Sequence, residues 1–278
     1  MSPKHLVVCS AENRYYHAWQ AKAFAYSCLQ HQGVAPLILV HGGHEDLEPG
    51  FLECEKAGAL VVPTRNHRAY DKKEWAARNT VGALIDAGLI GEALGATHVV
   101  LMDPDMVWTR RINWPTELAV DRCDNDLMTG LAVTVAEEAG IDLGPNPNPT
   151  WGSRVPYVVP IEQVQPIANA WWVLMDRFAA HEGRNWSDQM RAWALALAAL
   201  GAVPRKVVLT QTNWVAEAYP SAGLIHYAFE QPGWSKRWYV TAEDGDPFDP
   251  PRYPLETVAG QVNRELTRAG AFYRELAA

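Results

Sequence analysis

Over its first hundred residues the chain alternates short apolar, β-rich runs with helical stretches, and this alternation limits the fold more than any other feature. Residues 6–9 form a first run that reads as a buried strand. Residues 16–32 carry Trp19, Ala23, Tyr26 and Leu29 at helical spacing and stop at Gly33, which predicts a helix with a glycine C-cap. A second strand, 37–40, runs into His41-Gly42-Gly43-His44, and a third, 60–62, is closed by Pro63. Residues 72–94 read as mostly helical, weakened by Gly82, Gly88 and Gly91. The fourth strand, 99–102, leads straight into Asp103-Pro104-Asp105. Repeated βα units of this length predict an α/β fold, a Rossmann-like, mixed but mostly parallel sheet with helices on both faces. In such sheets ligands sit at the carboxyl ends of the strands, where these polar residues fall.

The second half is less regular. Residues 144–160 are rich in Pro and Asn and are expected to be a linker or a loop over a site, not helix. A strand is expected at 172–175, a strong Ala/Leu helix at 188–200, short strands at 207–209 and 224–227, and a surface helix at 255–276. No internal repeat is visible.

A chain of 278 residues suits two domains or one large α/β domain. Its 24 Lys and Arg against 32 Asp and Glu give a net charge of −8, which weighs against broad binding to a phosphate backbone. Cys9, Cys28, Cys54 and Cys123 form no Cys-x-x-Cys pair and read as reduced thiols. The longest charge-free apolar run, 192–203, is shorter than the roughly 20 residues of a membrane span. Residues 6–9 are no signal-peptide core. A cytoplasmic chain with no membrane partner is the expectation. The 12 Trp are unusually many; most are expected in the core, and the excess also suits a site that stacks on rings or sugars.

Asp103-Pro104-Asp105 is the sharpest chemical signal. Two carboxylates one residue apart, after an apolar strand, can turn their oxygens toward one hard divalent cation such as Mg²⁺ or Mn²⁺. The alternative is an acidic turn in which Asp105 caps the next segment. Two chemistries place such a pair after a strand. A haloacid-dehalogenase-like phosphohydrolase would use Asp103 as nucleophile, and Val107 even falls where that pattern wants Thr or Val; but its motif ends the first strand of its domain. Nucleotide-sugar glycosyltransferases of the GT-A class place a Rossmann-like half first, and the order of elements here favours them.

Several short segments sharpen this. Tyr15-Tyr16-His17-Ala18-Trp19-Gln20 resembles the Tyr-x-x-Trp-Gln opening of the hydroxyproline O-arabinosyltransferase and peptidyl-serine galactosyltransferase families. Lys73-Glu74-Trp75-Ala76 is similar to their Lys/Arg-Pro-Trp-Ala, with Glu74 in place of Pro. The strand ending in Asp103-Pro104-Asp105, then Pro166-Ile167-Ala168-Asn169, the segment 186–192 and Ile225-His226-Tyr227 resemble further family motifs in the same order, over residues 13–239.

The resemblance implies a GT-A-like fold, with 1–110 as the nucleotide-sugar-binding half and 111–278 as the acceptor-binding half. Asp103, Asp105 and His226 would hold Mn²⁺ or Mg²⁺, His226 otherwise being a strand-end histidine. Ala11, Glu12, Asn13, Trp19 and Gln20 would lie near the nucleotide, Trp19 equally serving as a helix core residue. Lys73 would meet the diphosphate; apart from the resemblance, Lys236 and Arg237, near His226, are candidates to add positive charge over it, the alternative for all three being solvated surface charges. Asn169 would face the sugar or acceptor. The family's Glu is replaced by Gln189, and Asp188, one residue earlier, either supplies the carboxylate or caps the helix it precedes. The activity implied is transfer of a sugar from a nucleotide diphosphate sugar, a UDP-sugar in the first place, to an acceptor hydroxyl with retention. The acceptor is left open among a small molecule, a peptide and a hydroxylated nucleobase in DNA. A phosphohydrolase using Asp103 and a non-catalytic nucleotide- or sugar-binding protein are the competing expectations.

Overall fold

The computed structural model describes residues 4–42, 46–70, 75–122, 127–181, 185–212, 217, 223–228 and 234–278. In chain order the elements are β1 (His5–Glu12), α1 (Tyr15–Gln32), β2 (Leu37–His41), α2 (Pro49–Lys56), β3 (Leu60–Thr64), α3 (Arg78–Ala93), β4 (His98–Met102), β5 (Met106–Trp108) and β6 (Ala119–Arg122). After these come α4 (Leu131–Ala139), α5 (Pro147–Trp151), β7 (Ser153–Pro160), α6 (Ile161–Ala180), α7 (Asp188–Ala199), β8 (Arg205–Val207), β9 (Thr210–Thr212), β10 (Leu224–His226) and α8 (Val258–Ala277). Seven strands form one sheet in the order β3-β2-β1-β4-β7-β6-β8, and β5-β10-β9 form a second. β1, β2 and β3 pair in parallel, whereas β7 runs antiparallel to both β4 and β6. This is the mixed, mostly parallel α/β sheet expected from the sequence.

Two expectations are corrected. Residues 172–175 are not a strand but lie inside α6, because Val164, Ile167, Ala168, Trp171, Leu174, Met175 and Phe178 are buried at helical spacing while Val173 points to solvent. The Pro/Asn-rich stretch is not merely a loop. Residues 147–151 form the short helix α5, and β7 comes next as an interior strand of the sheet. β7 tolerates Pro156 because the β6–β7 register slips there: Val120 faces Tyr157 and the next residue, Asp121, faces Arg154.

The chain divides into two compact units. The first comprises Met1–Leu6, Asn66–Leu101 and Trp114–Val208. Its core includes Tyr157 of β7 stacked on Trp193 of α7, ring centroids 4.1 Å apart, with Trp171 of α6 meeting Trp193 edge-on at 5.0 Å. The second comprises Val7–Arg65, Met102–Asn113 and Leu209–Ala278. Here α1 ends as expected, Gly33 adopting φ 69° and closing the helix through its N–H to the Leu29 carbonyl. The tail helix α8 is more than a surface element. Val258, Val262, Leu266 and Ala269 are buried along one face, in a core with Trp19, Ile225, Tyr227 and Trp234. Among the described residues no helix is long and apolar enough to cross a membrane.

Candidate metal centre

Asp103-Pro104-Asp105 links β4 to β5, and β5 dictates what stands beside it. β10 pairs antiparallel with β5 so that His226 faces Met106, the residue after Asp105. The Tyr227 N–H donates to the Asp105 carbonyl at 3.0 Å, which fixes the register one step further. Two segments distant in sequence are thereby joined with their polar ends together. His226 Nε2 lies 3.2 Å from Asp105 Oδ1 and 3.6 Å from Asp103 Oδ2. One ligand atom from each of Asp103, Asp105 and His226 falls within 4.8 Å of the others. Lys236 adds its ammonium, ion-paired to Asp105 Oδ2.

Burial and charge set opposite pressures on these groups. Desolvation and the neighbouring Asp105 push the Asp103 carboxyl up to about 6. Burial acts on Asp105 in the same direction, but Lys236 and His226 outweigh it and hold that carboxyl well below the usual range. Burial disfavours a charged His226, yet Asp105 and Asp103 together keep its pKa above the ordinary value. Two carboxylates and an imidazole fit Mn²⁺ or Mg²⁺, the nitrogen donor suiting Mn²⁺ better.

A cation here has to displace protons from His226 and, below about pH 6, from Asp103. Mn²⁺ affinity is therefore expected to fall as the pH is lowered from 8 to 5, and more steeply once Asp103 begins to protonate. Titration calorimetry in buffers of different ionisation enthalpy reads both the affinity and the protons released. An affinity flat across that range would contradict the ligand set.

Most of the other predicted residues of the second unit are engaged in local contacts. Ala11 is buried at the end of β1. Glu12 pairs with Arg14 at 3.1 Å, and its N–H donates to His17 Nδ1 at 2.8 Å. Asn13 fastens the loop after β2, donating to the Asp46 carbonyl at 2.6 Å and accepting from the Glu48 N–H at 2.8 Å. Trp19 is buried in the second unit's core, its indole N–H donating to the Tyr239 carbonyl at 2.9 Å. Gln20 is buried too and is tied to the Tyr16 carbonyl at 2.8 Å. His41 has its ring nitrogens 2.9 Å from Ser10 Oγ and 3.0 Å from the Arg65 carbonyl. Lys73 lies outside the described residues.

Asn169, Asp188 and Gln189 belong to the first unit. Asn169 stands exposed on α6, accepting from Gln165 at 2.7 Å. Asp188 is fully engaged: Oδ2 accepts the Asn185 N–H at 2.6 Å and Oδ1 pairs with Arg191 at 2.6 Å. Gln189 differs. It is 6% exposed, and its Oε1 has no hydrogen-bond partner among the described residues. Of Trp234, Trp238 and Tyr239, which follow in sequence, Trp234 and Tyr239 are core and Trp238 is open to solvent, at 48%.

Sequence reasoning missed two members of the second unit. Tyr227, directly after the histidine, is fully buried with a hydroxyl that has no partner among the described residues. His17 is held neutral, its pKa lowered to about 3 by burial and the Arg14 charge. The Tyr that closes the Ile-His-Tyr motif was the available signal for the first; the second had none.

The whole chain superposes on the apo structure of WbbM, described as a bifunctional glycosyltransferase, with a TM-score of 0.59 and 11% sequence identity. The match takes in 52% of that protein, so the chain spans about half its length. At this identity the likeness is one of fold, a glycosyltransferase fold, and it does not single out the hydroxyproline or serine families. No protein-family model and no curated protein matches the sequence.

Proposed function

We propose that this chain is a metal-dependent glycosyltransferase that moves a sugar from a nucleotide diphosphate sugar, a UDP-sugar first, to an acceptor hydroxyl with retention. The observation that carries this is the convergence of Asp103, Asp105 and His226, after a sheet strand, on a glycosyltransferase-like fold. These three residues would hold the divalent ion, which supplies neutralisation of the charge that builds on a departing diphosphate. Lys236 brings a point charge on a flexible stem to the same place and suits a phosphate oxygen. Residues 1–110, joined by His226 and Lys236, are assigned the donor and the rest of 111–278 the acceptor. Gln189 is assigned to the sugar on the motif resemblance. Asp188, with both oxygens engaged, is better suited to hold the start of α7 than to take a proton. Retention rests on the motif resemblance.

The test is release of nucleoside diphosphate from a panel of UDP-hexoses and UDP-pentoses, with and without Mn²⁺. Release that requires Mn²⁺, with the donor's anomeric configuration kept in the product by NMR, is the expected result. Mn²⁺-independent release, or phosphomonoester hydrolysis lost in Asp103→Asn, would contradict it and favour the phosphohydrolase.

A further inference from the structure

The centre already contains a cation. Lys236 is 131 residues from Asp105 in sequence, yet its ammonium is paired with Asp105 Oδ2, and both side chains are largely enclosed, at 13% and 8% exposure. The other oxygen of Asp105 faces His226 at 3.2 Å. Both oxygens of Asp105 are thus engaged, one of them by a positive charge that an incoming metal would have to meet. A buried lysine is costly unless paired, so this contact keeps the two neighbouring carboxylates from standing uncompensated.

Resting on the assignment of a divalent-cation site above, we propose that Lys236 is a built-in competitor: it fills the cation position beside Asp105 in the unliganded chain and yields it when a metal binds. The fold suits the exchange. Lys236 opens a short 3-10 turn, Lys236–Trp238, that Ser235 caps by accepting the Arg237 N–H at 3.2 Å, so the backbone is held while a four-carbon stem carries the charge. Two aspartates balance one divalent ion, and an ammonium left beside it is a surplus positive charge. The surplus is relieved if Lys236 swings to an anion, and a nucleotide's diphosphate brings one. The competitor then doubles as the counter-charge that couples metal binding to nucleotide binding.

The test is a Mn²⁺ titration without nucleotide, following the EPR signal of free Mn²⁺, on wild type and Lys236→Met. Removing the competitor is expected to tighten Mn²⁺ binding about tenfold or more, because the metal then relieves an uncompensated carboxylate. Equal or weaker binding in the variant would overturn the proposal, as would absence of Mn²⁺ binding in both proteins. Should Lys236→Met fail to fold, reductive methylation of the wild type with mass spectrometry as readout gives a second answer. Saturating Mn²⁺ should speed labelling of Lys236, and an unchanged rate would overturn the exchange. Neither readout involves a nucleotide. A chain that shows the competition but binds no nucleoside diphosphate contradicts the glycosyltransferase assignment alone. One that binds Mn²⁺ and nucleotide with no tightening in Lys236→Met contradicts the competition alone.

Discussion

Asp105→Asn is expected to abolish Mn²⁺-dependent nucleotide binding and to lower sugar transfer on the order of 10²–10³-fold or more, the scale seen when one group stabilising transition-state charge is removed. Asp105 is the residue that both His226 and Lys236 touch, one at each carboxylate oxygen. The amide presents a weaker, neutral oxygen to a metal. It also takes from Lys236 its paired carboxylate and leaves only the charge of Asp103 nearby, a loss of about 3–5 kcal/mol. The metal-free variant is therefore expected to melt about 5–15 °C below wild type. Ligand effects must be read against that lowered baseline. Asp105→Asn that melts like wild type, or that keeps a Mn²⁺-dependent nucleotide shift, would remove Asp105 from the centre.

Trp19→Ala is also expected to destabilise the fold, by about 3–5 kcal/mol. The indole is buried on α1, near-parallel to Tyr227 at 6.2 Å and edge-on to Tyr239 at 6.1 Å, and it satisfies the Tyr239 carbonyl. Removal opens a cavity and strands that carbonyl. The neighbour Tyr227 stands directly after His226, a proposed ligand, so the same change is expected to weaken Mn²⁺ binding indirectly. Trp238→Ala, at an exposed position, is expected to stay within about 0.5 kcal/mol of wild type. Urea unfolding of the two variants reads the difference. A Trp19→Ala protein of unchanged stability that bound nucleotide poorly would place Trp19 against the nucleotide and not in the core.

The parallel strands and the acidic pair were legible because each strand is a contiguous apolar run whose polarity changes abruptly at the carboxyl end. Residues 172–175 misled because four apolar residues cannot separate a period of 2 from one of 3.6; the wider spacing from Val164 to Phe178 does. β7 was hidden by its prolines: Pro156 is accepted in an interior strand where the register against β6 slips, and Pro160 stands at the strand's end. His226 was legible only through its motif, since its place beside Asp105 comes from the β5–β10 pairing. The Lys236–Asp105 ion pair was not legible at all: it joins residues that only the tertiary fold brings together, and the sequence supported only a lysine near a diphosphate.

The most direct test of the centre is thermal unfolding of wild type and Asp105→Asn with UDP, GDP, dTDP and ADP, each with and without Mn²⁺. A ligand at a hundred times its Kd adds about 2.7 kcal/mol, enough to raise the melting temperature by several degrees. The expected result is a Mn²⁺-dependent rise for one nucleotide, UDP first, that is absent in Asp105→Asn. No rise with any nucleotide, or one that persists without Mn²⁺ and in the variant, would contradict a metal-held nucleoside diphosphate at Asp103, Asp105 and His226.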